Sequence, residues 1–498
     1  MRKKRLALNT ISGLLNQIIT IICGLILPRF YIKTFGSEVN GLVSSITQFL
    51  SFISFLQLGI GAVAQAAWYK PLAEGDIKLV SQIYVSAQRF FRRIAYIFIG
   101  YIVALCVFYP LLVSSEFGSL YQITLILAIS ISLFLQYYFG ITNQLLLTSD
   151  QRGYYYLFIH AGLTVLNTIA CVCLMKYGAS IQLVRLGSSL VYAVNPLVLS
   201  ILVRKLYTID RHAMITEEPI KQKWNGFVQH VASVIMDNTD VAVLTIFSTL
   251  SNVSIYYVYH LIVFGIRQII TSLSSGIQAL FGNMLAVDDK SKIQKAYNEI
   301  EVTFHYVITI LYSCALVLAC PFVSVYTKGV TDANYIVPVF SFFITLAFAS
   351  YCYRLPYYSM IKAAGHFKQT QNGAIIEVLI NLTISIATVI KFGLVGVAIG
   401  TLVANLYRTA YCVVYLKKNI LHRSIAYYLK YSCCDIICFG VAFLLIEFIP
   451  WNGENYIDWI IMGIKVFSIC FVSCTLVFGL INYKTFKSLI INRFKITR

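Results

Sequence analysis

Apolar residues run almost without a break through this chain, interrupted by short stretches that carry most of its charge. Runs of about 20 recur from end to end, the length a helix needs to cross roughly 30 Å of hydrocarbon. Fourteen can be drawn: 9–32, 42–65, 94–113, 120–147, 154–175, 181–203, 226–248, 255–285, 302–326, 336–361, 371–390, 395–416, 427–449 and 457–481. They are continuously apolar and do not alternate with period two, which predicts helices and not a transmembrane barrel. Three runs carry polar residues at helical spacing: Asn9, Ser12, Asn16 and Thr20; His160, Thr164, Asn167 and Cys171; Glu377, Asn381, Ser385 and Thr388. Such stripes predict faces turned to a bundle core or an aqueous cavity. Pro28, after the first stripe, predicts a bend.

Composition sharpens this into an all-α polytopic membrane protein of about fourteen transmembrane helices. Of 498 residues 59% are hydrophobic and 12% charged, with mean hydropathy +0.77, well outside the balance of soluble domains. The opening MRKKR precedes apolar sequence as in a signal peptide, yet no small-residue cleavage site follows, so an uncleaved first span is expected. With the N-terminus cytoplasmic, the inner segments hold 28 Lys and Arg, while the outer loops and helix ends hold five: Arg29, Lys33, Lys176, Lys328 and Lys391. That asymmetry predicts both termini inside. It also accounts for most of the formal +19 through loops facing anionic membrane lipids, so no nucleic-acid partner is required. The thirteen cysteines fall in or beside spans with no zinc spacing, which predicts packing and no metal site.

The chain also repeats itself. GIGA at 59–62 recurs as GIQA at 276–279, Asp76 and Tyr84 as Asp289 and Tyr297, and KYG at 176–178 as KFG at 391–393, at offsets of 217, 213 and 215. An offset of six spans keeps the membrane orientation, so two parallel six-helix lobes are expected. They would occupy 1–203 and 226–416, joined by a cytoplasmic linker 204–225 and followed by an extra helix pair 427–481 and a cytoplasmic tail 482–498.

Charges inside spans are costly, so each needs a partner or water. The candidates are Arg29, Arg185, Arg267, Arg354, Arg408 and Lys465 among cations, and Asp237, Asp240, Glu377, Asp435 and Glu447 among acids. In the first lobe every acid (Glu38, Glu74, Asp76, Glu116, Asp150) lies in a loop or at a helix end, while Arg29, Lys33 and Arg185 sit at or within spans. These three are expected at one depth near the outer face, where an anion such as a lipid diphosphate would supply the missing charge. Paired structural networks and snorkelling to headgroups are the alternatives. In the second lobe, His260 and Arg267 share a helical face; Asp237 and Asp240 share another, to pair with Arg267 or to bind a coupling cation.

These residues carry a resemblance. PRFYIKTFGSEVNGL at 28–42 and LQLGIGAVAQAAWYKPLAEGD at 56–76 resemble the entry signature of bacterial polysaccharide repeat-unit flippases, with Lys33, Gly36, Glu38 and Gly41 at its basic, glycine, acidic and glycine positions. DNTDVAVLTIF, with Asp240, and LPYYSMIKAAGHFK, with Gly365, resemble that family's seventh and tenth helices. The superfamily also holds multidrug and toxin exporters and the lipid II flippase. The resemblance implies a V-shaped pair of six-helix bundles in the bacterial cytoplasmic membrane, moving lipid-diphosphate-linked oligosaccharides outward. It implies no cofactor, and polysaccharide polymerase and glycosyltransferases as neighbouring partners. By their location in spans Asp240 or Glu377 could couple transport to H+ or Na+, with Asp237 and His260 as further coupling or ion-pair candidates; a substrate gradient kept by consumption outside is the alternative drive. A diphosphate would be held by Arg29, Lys33, Arg185, Arg267, Arg354 and Arg408. A polymerase or glycosyltransferase is the rival reading, but outer loops of about nine residues or fewer leave little room for catalytic groups, and no P-loop, GxSxG or HExxH is present. A cationic-drug exporter of the same fold would want an in-span carboxylate in the first lobe.

Overall fold

The computed structural model describes residues 2–57, 60–113, 115–211, 213–214, 227–287 and 289–481, and all regular structure among them is helical. Gly59, most of the linker and the tail 482–498 lie outside the described residues. Among the described residues fourteen helical segments are long and apolar enough to cross a membrane, one for each apolar run.

The contacts divide the chain into two compact units, Met1–Ser254 and Ile255–Arg498. The first contains α1 (Arg2–Phe35), α2 (Ser37–Ser51), α3 (Ile60–Glu74), α4 (Ile77–Leu112), α5 (Ser119–Leu135), α6 (Ile141–Ser149), α7 (Tyr154–Lys176), α8 (Ile181–Leu206) and α9 (Phe227–Phe247). A π-type turn at Gln136–Gly140 joins α5 and α6 into one span, and α1 runs unbroken through Pro28. α10 (Leu250–Val287) leads into the second unit, which continues with α11 (Lys290–Tyr326), α12 (Pro338–Ala363), α13 (Gln371–Phe392), α14 (Leu394–Asn419), α15 (Ala426–Phe448) and α16 (Tyr456–Ile481). α9, expected to open the second lobe, is tied to α2: Thr245 donates to Ser45 at 2.8 Å, and Gln48 to Asn238 at 2.5 Å.

The repeat is visible in backbone detail. Asp76 and Asp289 each immediately precede a long helix, α4 and α11, and Tyr84 and Tyr297 on those helices are both buried. Gly178 and Gly393 each turn the chain between two spans with φ of +75° and +52°, values that side chains with a Cβ adopt at a cost.

Boundaries differ from the apolar runs where helices outgrow the hydrocarbon. α4 starts at Ile77, not at 94, and its 36 residues extend about 54 Å. α11 starts at Lys290, not at 302. Hydropathy registers only the stretch in lipid, and the helix continues into the basic loop. The second span is Ser37–Gln57, shifted from 42–65, because the helix begins directly after Gly36 and α3 is a separate element of 15 residues.

The signature glycines have local causes. Gly36, at φ +86°, reverses the chain between α1 and α2. Gly41 lies so close to α10 that a Cβ there would sit 1.8 Å from the Leu250 carbonyl oxygen. Gly41→Ala is therefore expected to lower stability by about 1–3 kcal/mol, the range for overpacking, read as earlier thermal unfolding in detergent.

Apolar burial drives little association between helices in lipid, so close fit and polar links must hold them. α16 meets α11 and α15 along Met462, Val466, Cys470, Cys474 and Phe478, each four residues from the last and all buried. Opposite lie Cys314, Cys434 and Cys438, thin enough to bring backbones together. Tyr306 adds a 2.8 Å hydrogen bond to Thr475, and the Asp435 carboxylate reaches His305 on α11.

Candidate functional site

In the first unit the site is built on α8. Ser180 caps its start by accepting from the Leu183 N–H, which fixes the first turn and sets Arg185 one turn inside. The guanidinium turns inward: Nη1 lies 3.4 Å from the Tyr31 hydroxyl of α1, Nη2 3.3 Å from Thr47 Oγ1 of α2, and its carbon 5.7 Å from the Tyr31 ring centre. Nε is buried with no protein acceptor. Both hydrogen bonds are long, and among the described residues no carboxylate pairs with Arg185. Among the described residues of this unit, Asp150 is bound by Arg5 at 3.2 Å and by Arg152 at 2.8 Å beside the α6–α7 turn, and Lys70 lies 3.8 Å from Glu74 on α3. Tyr207 donates to the Asp150 carboxylate at 2.6 Å, and its hydroxyl pKa is pushed up by burial and by that charge.

Lys33 does not face Arg185. Two residues turn a helix by about 200°, so with Tyr31 facing Arg185 the Lys33 side chain lies on the other side of α1, exposed. Arg29 is half-buried near the end of α1. The α7 stripe faces the bundle core: Thr164, Asn167 and Cys171 are buried, and His160 Nδ1 lies 3.0 Å from Asn16 Oδ1. Asp237 and Asp240 part company on α9, Asp240 buried and Asp237 exposed.

In the second unit three helices converge on one carboxylate. Arg354 of α12 binds Glu377 Oε1 of α13, and Arg408 Nε of α14 lies 3.5 Å from Oε2. All three residues are buried. Arg408 also donates from Nη1 to the Thr370 carbonyl at 3.1 Å, in a space open only because residue 373 is glycine: a Cβ there would sit 2.2 Å from that nitrogen. Tyr351 is flanked by two guanidiniums, Arg267 at 3.9 Å and Arg354 at 4.6 Å from its ring centre. His260, one helical face with Arg267, lies among Tyr256, Tyr257, Phe264 and Phe348, and Arg267 contacts the same two phenylalanines. The triad Arg354, Glu377 and Arg408 joins two guanidiniums to one carboxylate, and tyrosine faces lie against the guanidiniums, Tyr351 for Arg354 and Tyr358 and Tyr411 for Arg408.

A second buried network went unremarked in the sequence. His305 Nδ1 lies 2.6 Å from Asp435 Oδ2 and Nε2 3.1 Å from the Tyr357 hydroxyl; Tyr357 donates to Glu301 Oε1 at 2.5 Å, and Arg423 binds Glu301 Oε2. Its signal was there: Glu301, His305 and Thr309 recur every four residues, but the apolar run drawn from 302 cut the first of them off. Of the other in-span charges, Glu447 and Lys465 are exposed.

No family model matches this sequence, and no curated protein does. Solved structures share its fold. A lipid II flippase, MurJ, in an inward closed conformation, aligns over 95% of this chain and 99% of its own with TM-score 0.72 at 17% identity. An inward-facing multidrug resistance MATE family transporter of the MOP superfamily aligns over 83% of this chain and 95% of its own, TM-score 0.62 and 12% identity. The Vibrio cholerae MATE transporter VcmN, in a mutant form, aligns over 86% and 100%, TM-score 0.56 and 13% identity. At these identities the likeness is one of fold alone, that of a multi-pass helical membrane protein.

Proposed function

We propose that this chain is a flippase that carries a polyprenyl-diphosphate-linked oligosaccharide from the cytoplasmic to the outer leaflet of a bacterial cell membrane, for capsule, exopolysaccharide or O-antigen type polysaccharide. The observation that carries the reading is Arg185, held inside the first unit by two hydroxyls with no carboxylate partner among the described residues. A guanidinium in a span seeks an acceptor, and its fork matches a diphosphate. The fold shared with MurJ and with MATE transporters supports movement of a bulky solute by alternating access. Arg267 and Arg354, which flank Tyr351, and Arg408, which shares Glu377 with Arg354, offer a second basic and aromatic surface for the headgroup and its sugars. A coupling ion, H+ or Na+, would act through Asp240, buried on α9, or through Glu377, which two arginines engage. A cationic-drug exporter fits less well, since the polar interior around Arg185 presents positive charge to a positive guest.

The test is deletion in the source organism followed by lipid analysis. Lipid-linked repeat units are expected to accumulate on the cytoplasmic leaflet, with loss of polymer. Normal translocation of those intermediates with polymer still absent would contradict the proposal and point to a polymerase.

A further inference from the structure

The hydrogen bonds around His305 determine how many protons the site holds. Glu301 is ionised, because Arg423 binds Oε2, so Oε1 accepts from Tyr357. Tyr357 has one proton and gives it to Glu301, so its oxygen accepts at the 3.1 Å contact and His305 Nε2 must carry a hydrogen. The 2.6 Å contact of Nδ1 with Asp435 Oδ2 then also needs a proton, as imidazolium with carboxylate or as imidazole with carboxylic acid. In either form the pair holds one proton more than a neutral imidazole beside a carboxylate. Without it, two lone pairs would face each other at 2.6 Å and an unbalanced negative charge would lie in a span.

We propose that His305 and Asp435 form a proton-binding site, reached from solvent through Glu301 and Tyr357, whose proton clasps α15 to α11. Glu301, Tyr357 and Arg423 line a crevice beside the α14–α15 loop, which gives the relay its entrance. Each step is a transfer along an existing hydrogen bond: Glu301 takes a proton from the crevice, Tyr357 passes its own to one neighbour as it receives one from the other, and His305 hands one to Asp435. Asp435 Oδ1 accepts from Thr309 at 2.6 Å, so both its oxygens grip α11. The groups facing His305 are few in charge. From α11 come Glu301 and Tyr297, from α12 Tyr353 and Tyr357, and from the α14–α15 loop Arg423. α15 supplies Asp435 with Tyr428, Tyr431 and Cys438, and α16 supplies Cys474. The inference rests on the transport reading only for what the clasp would gate, release of α15 and α16 from α11 during a cycle; proton binding is a property of the folded chain.

The test is infrared difference spectroscopy on the full chain in nanodiscs, with carboxyl-labelled aspartate and ring-labelled histidine, between about pH 5 and 9. One histidine and one aspartate signal are expected to titrate together, to vanish in His305→Gln and Asp435→Asn, and to persist in Thr309→Val. Tyr357→Phe, which keeps the volume, is expected to retain the signal while slowing its deuterium exchange at least tenfold. Absence of the joint signal in the unaltered protein, or its survival in His305→Gln, overturns the site. Unchanged exchange in Tyr357→Phe overturns the route, and that variant decides should the other two fail to fold. A chain that keeps the signal but fails the export test overturns the flippase reading alone.

Discussion

Replacing Glu377 with glutamine is expected to destabilise the second unit by about 3–5 kcal/mol, the cost of stranding a buried charge partner. Arg354 and Arg408 are both buried, and Glu377 is the carboxylate that each binds. Glutamine has nearly the same shape, so the loss would be electrostatic and not a matter of packing. The measurement is thermal unfolding in detergent, with glycan export followed in parallel. Because the penalty comes from arginines left behind, Glu377→Gln combined with Arg354→Gln should recover stability relative to the sum of the single changes. Arg408 would then keep its bond to the Thr370 carbonyl. A single-variant loss under about 1 kcal/mol, or strict additivity of the two changes, would contradict the account.

Arg185→Gln is expected to do the opposite: leave the fold intact and lower export by roughly 10- to 100-fold. Among the described residues its hydrogen-bond partners are two hydroxyls at 3.3 and 3.4 Å, so little native energy is lost with it. A charge-assisted bond to phosphate is worth about 1.5–3 kcal/mol, which is the source of the expected fold-change. Arg185→Lys should fall between, because lysine keeps the charge without the planar fork. Reduced export with an unchanged unfolding temperature supports a role in binding. Unchanged export, or a loss explained wholly by unfolding, contradicts it.

The fourteen spans were legible because lipid demands one thing of every helix, an unbroken apolar length, and the runs record it directly. The helix ends were not, since α4 and α11 extend past the hydrocarbon on polar residues that hydropathy counts as loop. The repeat was readable in Asp76 and Asp289 and in the two left-handed glycines, because those positions answer to local backbone needs. Which in-span charges pair was only partly readable. That residues 1–203 hold no in-span carboxylate is a matter of inventory, and among the described residues none pairs with Arg185. That Lys33 faces away from it depends on the rotation of α1, which nearby polar residues do not determine. Glu377 and its arginines come from three helices, and the network from Arg423 through Glu301, Tyr357 and His305 to Asp435 draws on three helices and a loop. Such meetings are set by helix packing, and no spacing along one chain segment encodes them.

The most direct measurement is equilibrium binding of a polyprenyl diphosphate to the purified chain in nanodiscs, with the unaltered protein and Arg185→Gln side by side and the polyprenyl monophosphate as reference. The account predicts that the diphosphate binds the unaltered protein at least tenfold tighter than Arg185→Gln, and that the gap narrows for the monophosphate. Equal affinity of both proteins for the diphosphate would contradict it.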